Sequence, residues 1–181
     1  VIAEKYSSVH CIKNLIYQDS GSFYTFYNMR EILKSDILLL ESDILFEEKA
    51  IISLIRHHKT DVILASGKTQ SGDEVFIEVD KSNNLRTLSK DVRKISDIYG
   101  ELVGISRLSV GTYNILFQWA AENQKLAQNI HYEEAIALNC QTQPIYIEKI
   151  ENLIWSEIDT KDHYDNARNN IFPQIDKKSH V

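Results

Sequence analysis

Cysteine is scarce: only Cys11 and Cys140 occur, far apart and without a Cys-x-x-Cys pair. No disulfide framework and no zinc-knuckle spacing can be built from them, so a reducing cytoplasm is the expected compartment. No apolar run approaches the roughly 20 residues of a membrane-spanning helix. A basic-then-apolar leader is also missing, and the opening Val1-Ile2-Ala3-Glu4-Lys5 reads as the middle of a helix in a chain cut from a longer one. Clustered cations are lacking: Arg93-Lys94 and Lys177-Lys178 are the densest groups in a chain of net charge -6. That composition argues against a nucleic-acid partner, because affinity for a phosphate backbone needs grouped Lys and Arg. Gly67 and Gly72 complete neither G-x-x-x-x-G-K nor G-x-G-x-x-G, so neither of these phosphate-binding loops is present.

What remains is a chain of 181 residues, 43% hydrophobic, enough for one compact α/β domain. Val9 to Lys13 is a short β-prone run. Phe23 to Lys34 has helical spacing, as does Glu47 to His57. Asp36 to Asp43 and Asp61 to Ala65 are near-continuous apolar runs, the pattern of strands buried on both faces. Glu74 to Asp80 and Asn84 to Ser89 read as a hairpin turned at Lys81 to Asn84. Glu101 to Leu108 is a further strand and Val110 to Lys125 a long helix, followed by a shorter helix over Tyr132 to Asn139. Strands at Ile145 to Lys149 and Asn152 to Ile158 and a helix over Asp162 to Phe172 close the domain. Gln174 to Val181 reads as a polar tail. Alternating elements early and strand-rich material later predict a three-layer α/β sandwich with a mixed sheet.

Two acidic strand ends carry the chemistry. Leu40-Glu41-Ser42-Asp43 places Asp43 at the carboxyl end of a buried strand, where ligands bind in open α/β sheets. A carboxylate there suits Mg²⁺, which takes oxygen ligands and shares them with substrate phosphates. It equally suits an N-cap for the helix near Glu47. In Trp155-Ser156-Glu157-Ile158-Asp159, strand alternation puts Trp155, Glu157 and Asp159 on one face. Two carboxylates beside a large aromatic point to a metal; a strand running into solvent, with Asp159 or Thr160 capping the next helix, fits as well. Lys90, after the hairpin, is a surface charge or a phosphate contact. Tyr132-Glu133-Glu134 opens a helix where acids are favoured, and could also meet a substrate amine.

Taken in order, Leu38 to Phe46, Tyr99 to Ser106, Tyr132 to Ala135 and Trp155 to Asp162 resemble the sugar-phosphate-type nucleotidyltransferases. The resemblance is strongest to the bacterial cytidylyltransferases that use phosphocholine or 2-aminoethylphosphonate, and it runs from about Val1 to Phe172. It implies a Rossmann-like (GT-A-like) nucleotidyltransferase fold, with residues 1–173 as its carboxyl-terminal portion and 174–181 as a tail or linker. It further implies Mg²⁺ on Asp43 and Asp159 with Glu157 beside them, and CTP and a phosphorylated or phosphonylated amine as partners. Lys90, Tyr132, Glu133 and Tyr24 would contact the substrate, and a fused aminotransferase domain would fit downstream. Two departures stand out. The family's glycine-rich, basic loop has no counterpart, so the domain is N-terminally truncated and expected to be inactive alone. Ser20 to Phe26 differs from relatives in a segment near the acceptor. A hexose-1-phosphate nucleotidyltransferase and a degenerate nucleotide-binding domain are the alternative expectations.

Overall fold

The computed structural model describes residues 5–179 apart from 7, 70, 71 and 73. In chain order its elements begin with α1 (Ser22–Tyr27), β1 (Ile37–Leu40), β2 (Ile44–Phe46), α2 (Lys49–Arg56), β3 (Val62–Ser66) and β4 (Phe76–Val79). They continue with β5 (Leu85–Ser89), β6 (Gly100–Leu108), α3 (Val110–Glu122), α4 (Gln124–Asn129) and α5 (Tyr132–Asn139). β7 (Tyr146–Ile150), β8 (Trp155–Glu157), α6 (Lys161–Asn166) and α7 (Phe172–Ser179) complete the described chain.

β3 lies at the centre because its residues are apolar on both sides. Val62 and Leu64 enter one core, and Ile63 and Ala65 enter the other. β7 runs parallel to β3 on one side and β6 antiparallel on the other, which makes the sheet mixed. The outer edge of β6 is shared by two strands. β1 pairs with its Ile105 to Leu108 half, and β4 with Gly100 and Glu101 at its start. α2 covers one face through Ala50 and Leu54, packed on Val103 and Ile105. α1, α3 and α5 cover the other through residues such as Phe23, Leu116 and Ile136. The result is the expected three-layer α/β sandwich. Each fully buried side chain of this kind contributes about 1.5–3 kcal/mol.

Several element limits differ from the sequence expectation. Val9 to Lys13 forms no strand; Val9 and Ile12 are exposed, and no strand among the described residues pairs with this run. The helix expected over Phe23 to Lys34 ends at Tyr27 and relaxes into three-residue turns, with Met29 and Arg30 N–H donating to Phe26 and Tyr27 carbonyls. The long helix from Val110 stops at Glu122, because the Asn123 side chain donates to the Trp119 carbonyl at 2.9 Å and draws the chain out of helical geometry. Beyond α6, a π-helical turn at Ala167–Ile171 leads into α7. The stretch expected as a tail from Gln174 is therefore helical to Ser179, and Lys178 Nζ donates to Glu47 Oε2 at 3.1 Å. The helix expected at Val1 to Glu4 lies outside the described residues.

Candidate active site

β1 leaves the sheet after Leu40, and Glu41-Ser42-Asp43 bends before the chain re-enters as β2. The Glu41 N–H still donates to the Gly104 carbonyl at 2.9 Å. β2 then pairs antiparallel with β8, with Ile44 opposite Glu157, and Ile158 N–H donates to the Asp43 carbonyl at 2.8 Å. This two-stranded ladder is what sets Asp43 beside Glu157. Carboxylate oxygens of Glu41, Asp43 and Glu157 all lie within 4.8 Å of one another. Three hard, anionic oxygen donors this close fit Mg²⁺ or a similar divalent cation, which would remove their mutual repulsion.

Glu41 occupies a cradle made by a missing side chain. Gly104 has φ +82°, and a β-carbon there would lie 2.5 Å from Glu41 Oε2. Only glycine takes that conformation freely, and only glycine leaves that space.

The grouping opens onto a cavity of about 580 Å³. One wall is α1, which presents Ser22, Thr25 and Phe26, the spacing of a single helix face, with Met29 from the turn that follows it. Another is the start of α5, with His131, Tyr132 and Glu133. These two walls are locked together at Gly21, where a β-carbon would overlap the Ile130 carbonyl oxygen. The close approach lets Ser22 Oγ accept from the Tyr132 N–H at 3.1 Å, satisfying a first-turn amide of α5.

The cavity is strongly acidic: Glu41, Asp43, Glu74, Glu101, Glu133, Glu157 and Asp159 line it, against Lys90 and His131. Burial, and then the charge of Asp43, raise the Glu41 carboxyl above its usual range, while Tyr132, Lys90 and His131 pull it back. Burial likewise raises Glu133, with Glu41 and Glu134 adding to the effect. The Tyr132 hydroxyl is pushed well up, first by burial and then by Glu41, Glu133 and Glu157. It makes no well-formed hydrogen bond among the described residues, although Glu41 lies close enough for each to perturb the other. Glu101 is only 3% exposed, and its Oε2 accepts from both the N–H and the hydroxyl of Thr69, at 2.8 and 2.7 Å.

Of the residues singled out from sequence, Asp43, Glu157, Asp159, Lys90, Tyr132 and Glu133 all line this cavity. Tyr24 does not; the α1 face that turns inward is the one carrying Ser22 and Thr25. Asp159 stands outside the three-carboxylate grouping, 3.7 Å from His163 Nδ1. Thr160, not Asp159, caps α6, accepting from His163 N–H at 3.2 Å. Asp43 caps nothing: β2 intervenes, and α2 begins at Lys49 after Glu48 with no side-chain cap. Glu41, Ser22 and Glu101 were not singled out. For Glu41 the available cue was its place in the row with Asp43, opposite a glycine that no strand would otherwise need.

The fold matches that of solved nucleotidyltransferase structures. The inositol-1-phosphate CTP transferase from T. maritima superposes with a TM-score of 0.69 at 15% identity, over 87% of this chain and 63% of that one. The CTP:phosphocholine cytidylyltransferase from Streptococcus pneumoniae gives 0.69 at 16% identity, over 91% of this chain and 69% of that one. A Bacillus anthracis structure described as a glucose-1-phosphate thymidylyltransferase gives 0.66 at 7% identity, over 88% and 63%. The chain thus spans about two thirds of the length of the solved structures it matches. No protein-family model matches the sequence. No helix among the described residues is long and apolar enough to cross a membrane.

Proposed function

We propose that the protein transfers a cytidylyl group from CTP to a small phosphorylated or phosphonylated amine, with release of pyrophosphate. The observation that supports this most is the grouping of Glu41, Asp43 and Glu157 at the rim of an acidic cavity, on a nucleotidyltransferase fold. An anionic phosphate or phosphonate oxygen of the acceptor attacks the α-phosphorus of CTP. The bond to the bridging oxygen of the β-phosphate breaks, and the electron pair leaves with pyrophosphate. No general base is required, because the attacking oxygen is already anionic near neutral pH.

Glu41, Asp43 and Glu157, with Asp159 nearby, would hold Mg²⁺, which would supply positive charge to the phosphates. Lys90 steadies the acceptor's anionic end, and Tyr132 and Glu133 receive its amine. Phe26, Met29 and Leu39 exclude water from one side of the cavity. The protein's contribution is positioning and charge neutralisation rather than covalent chemistry. In this reading residues 1–173 form the carboxyl-terminal part of the transferase domain.

The test is pyrophosphate release by the protein at its full natural length, with CTP and Mg²⁺. Phosphocholine, 2-aminoethylphosphonate and a hexose 1-phosphate are offered in parallel, with Asp43→Asn as control. Release that depends on an amine-bearing acceptor and collapses in Asp43→Asn is expected. Release with the hexose phosphate alone would move the assignment to a sugar substrate, and no release with any acceptor would sink the transferase reading.

A further inference from the structure

Glu47 stands between the end of β2 and the start of α2, and its backbone serves both. Its N–H donates to the Ile154 carbonyl at 3.0 Å, which continues the β2–β8 register one step beyond Phe46 and Trp155. Its carbonyl accepts from the Ala50 N–H at 3.0 Å and so belongs to the turn that opens α2. In an antiparallel ladder a hydrogen-bonded pair exchanges both of its N–H···O bonds. Here the Glu47 carbonyl is drawn into the helix, and the Ile154 N–H needs another acceptor. The Glu47 carboxylate takes the place of its own carbonyl, Oε1 accepting from the Ile154 N–H at 2.7 Å. Lys49 Nζ lies 2.7 Å from Oε1 and donates to the Asn152 carbonyl at 3.0 Å, while Lys178 Nζ donates to Oε2 at 3.1 Å. Two cations and an amide hold this buried carboxylate in one orientation.

We infer that Glu47 is a positioning residue for the cation grouping: its carboxylate supplies the last rung of the ladder whose other end sets Asp43 beside Glu157. The inference rests on the reading of Glu41, Asp43 and Glu157 as cation ligands and deepens it. β2 and β8 have three residues each, and a two-stranded ladder this short has little stability of its own. Its ends are tied by the Ile158 N–H on the Asp43 carbonyl and by the Glu47–Ile154 pair. Losing half of the second tie lets β8 splay from β2, and the separation of Asp43 and Glu157 is then no longer fixed. A cation that demands near-ideal octahedral geometry is sensitive to that separation. Glu47 itself does not line the cavity, so it acts through the strands rather than by touching cation or substrate.

The test compares Glu47→Gln with Glu47→Met. Both remove the charge and the pairing with Lys49 and Lys178, and both keep the length of the side chain. Only Gln keeps an oxygen for the Ile154 amide. Any long-range effect of the lost charge on a cation is therefore common to the two. Mn²⁺ titrated calorimetrically is expected to bind Glu47→Met about fivefold more weakly than Glu47→Gln, the factor that matches one hydrogen bond's net contribution. Hydrogen exchange should find the Ile154 amide protected in wild type and Glu47→Gln, and open in Glu47→Met. A merely structural role would lower both melting temperatures and leave the two cation affinities equal. Equal affinities in the two folded variants, or an Ile154 amide equally protected in both, overturn the inference. If Glu47→Met does not fold, wild type decides by reciprocity. Saturating Mg²⁺ should then slow exchange at the Ile154 amide about fivefold relative to amides of β3, and a uniform change across the sheet overturns the inference. Failure of the cation reading looks different: wild type binds no Mn²⁺, or binds it unaffected by Asp43→Asn, and the inference falls with it. Binding that needs Asp43 but does not distinguish the two Glu47 variants overturns the inference alone.

Discussion

The Glu41 carboxylate comes within 2.5 Å of where a β-carbon on Gly104 would lie, and the Glu41 N–H donates to the Gly104 carbonyl. The glycine thus serves the site twice, through its positive φ and through its missing side chain. Gly104→Ala has to bear the strain of a left-handed residue, about 1–3 kcal/mol, and must also displace Glu41. We expect a lowered melting temperature together with weaker divalent-cation binding, read by calorimetry with Mn²⁺. Cation affinity that is unchanged in the destabilised variant would separate Glu41 from the cation site.

Asp43 and Asp159 are expected to behave differently, since only Asp43 belongs to the three-carboxylate grouping. Asp43→Asn should weaken Mn²⁺ binding at least about tenfold, or about 1.4 kcal/mol. Asp159→Asn should weaken it less, acting through its neighbourhood rather than by direct ligation. The reverse order would place Asp159 among the ligands and require the β8 end to move inward.

Glu47 gives the pH dependence of stability a definite sign. Its side chain is buried; burial alone would raise its carboxyl, but Lys49, the Ile154 N–H and Lys178 together hold it below the ordinary value of 4.5. A depressed carboxyl stabilises the fold above its unfolded value, and that contribution is lost as pH falls through the folded one. Acid unfolding monitored by circular dichroism should therefore begin below about pH 4.5, and Glu47→Ala should flatten that limb. At neutral pH the substitution should cost about 1 kcal/mol, because the half-buried Ile154 amide loses its side-chain acceptor. Lys178→Ala, on an exposed side chain, should cost under about 1 kcal/mol.

Gly21→Ala forces α1 away from the Ile130 carbonyl. Overpacking of this kind costs about 1–3 kcal/mol, and it should also break the Ser22 to Tyr132 hydrogen bond that aligns α5. The expected outcome is a weaker acceptor with cation affinity preserved. Ser22→Ala should reproduce the effect on the acceptor at a smaller loss of stability.

The sheet was legible because β1 and β3 are apolar on consecutive residues, a pattern that suits strands covered on both faces. Asp43 and Glu157 were legible as acids at strand ends. Glu41 and Glu101 were not: the first depends on a glycine across the sheet from it, and the second on a threonine in the loop after β3. Helix ends failed for local reasons. The Asn123 side chain competes for the Trp119 carbonyl, and the turns after Tyr27 close on three residues, neither of which hydrophobic spacing records.

Asp43 and Glu157 stand more than a hundred residues apart in the chain and meet only through the β2–β8 ladder. A nascent polypeptide that has not yet reached Trp155 carries Asp43 with nothing to face it. On the proposed assignment, cation capture would be a late event in the life of each molecule, one that reports closure of the last strand pair. A cation added during refolding should accordingly bind only after β2 and β8 have paired.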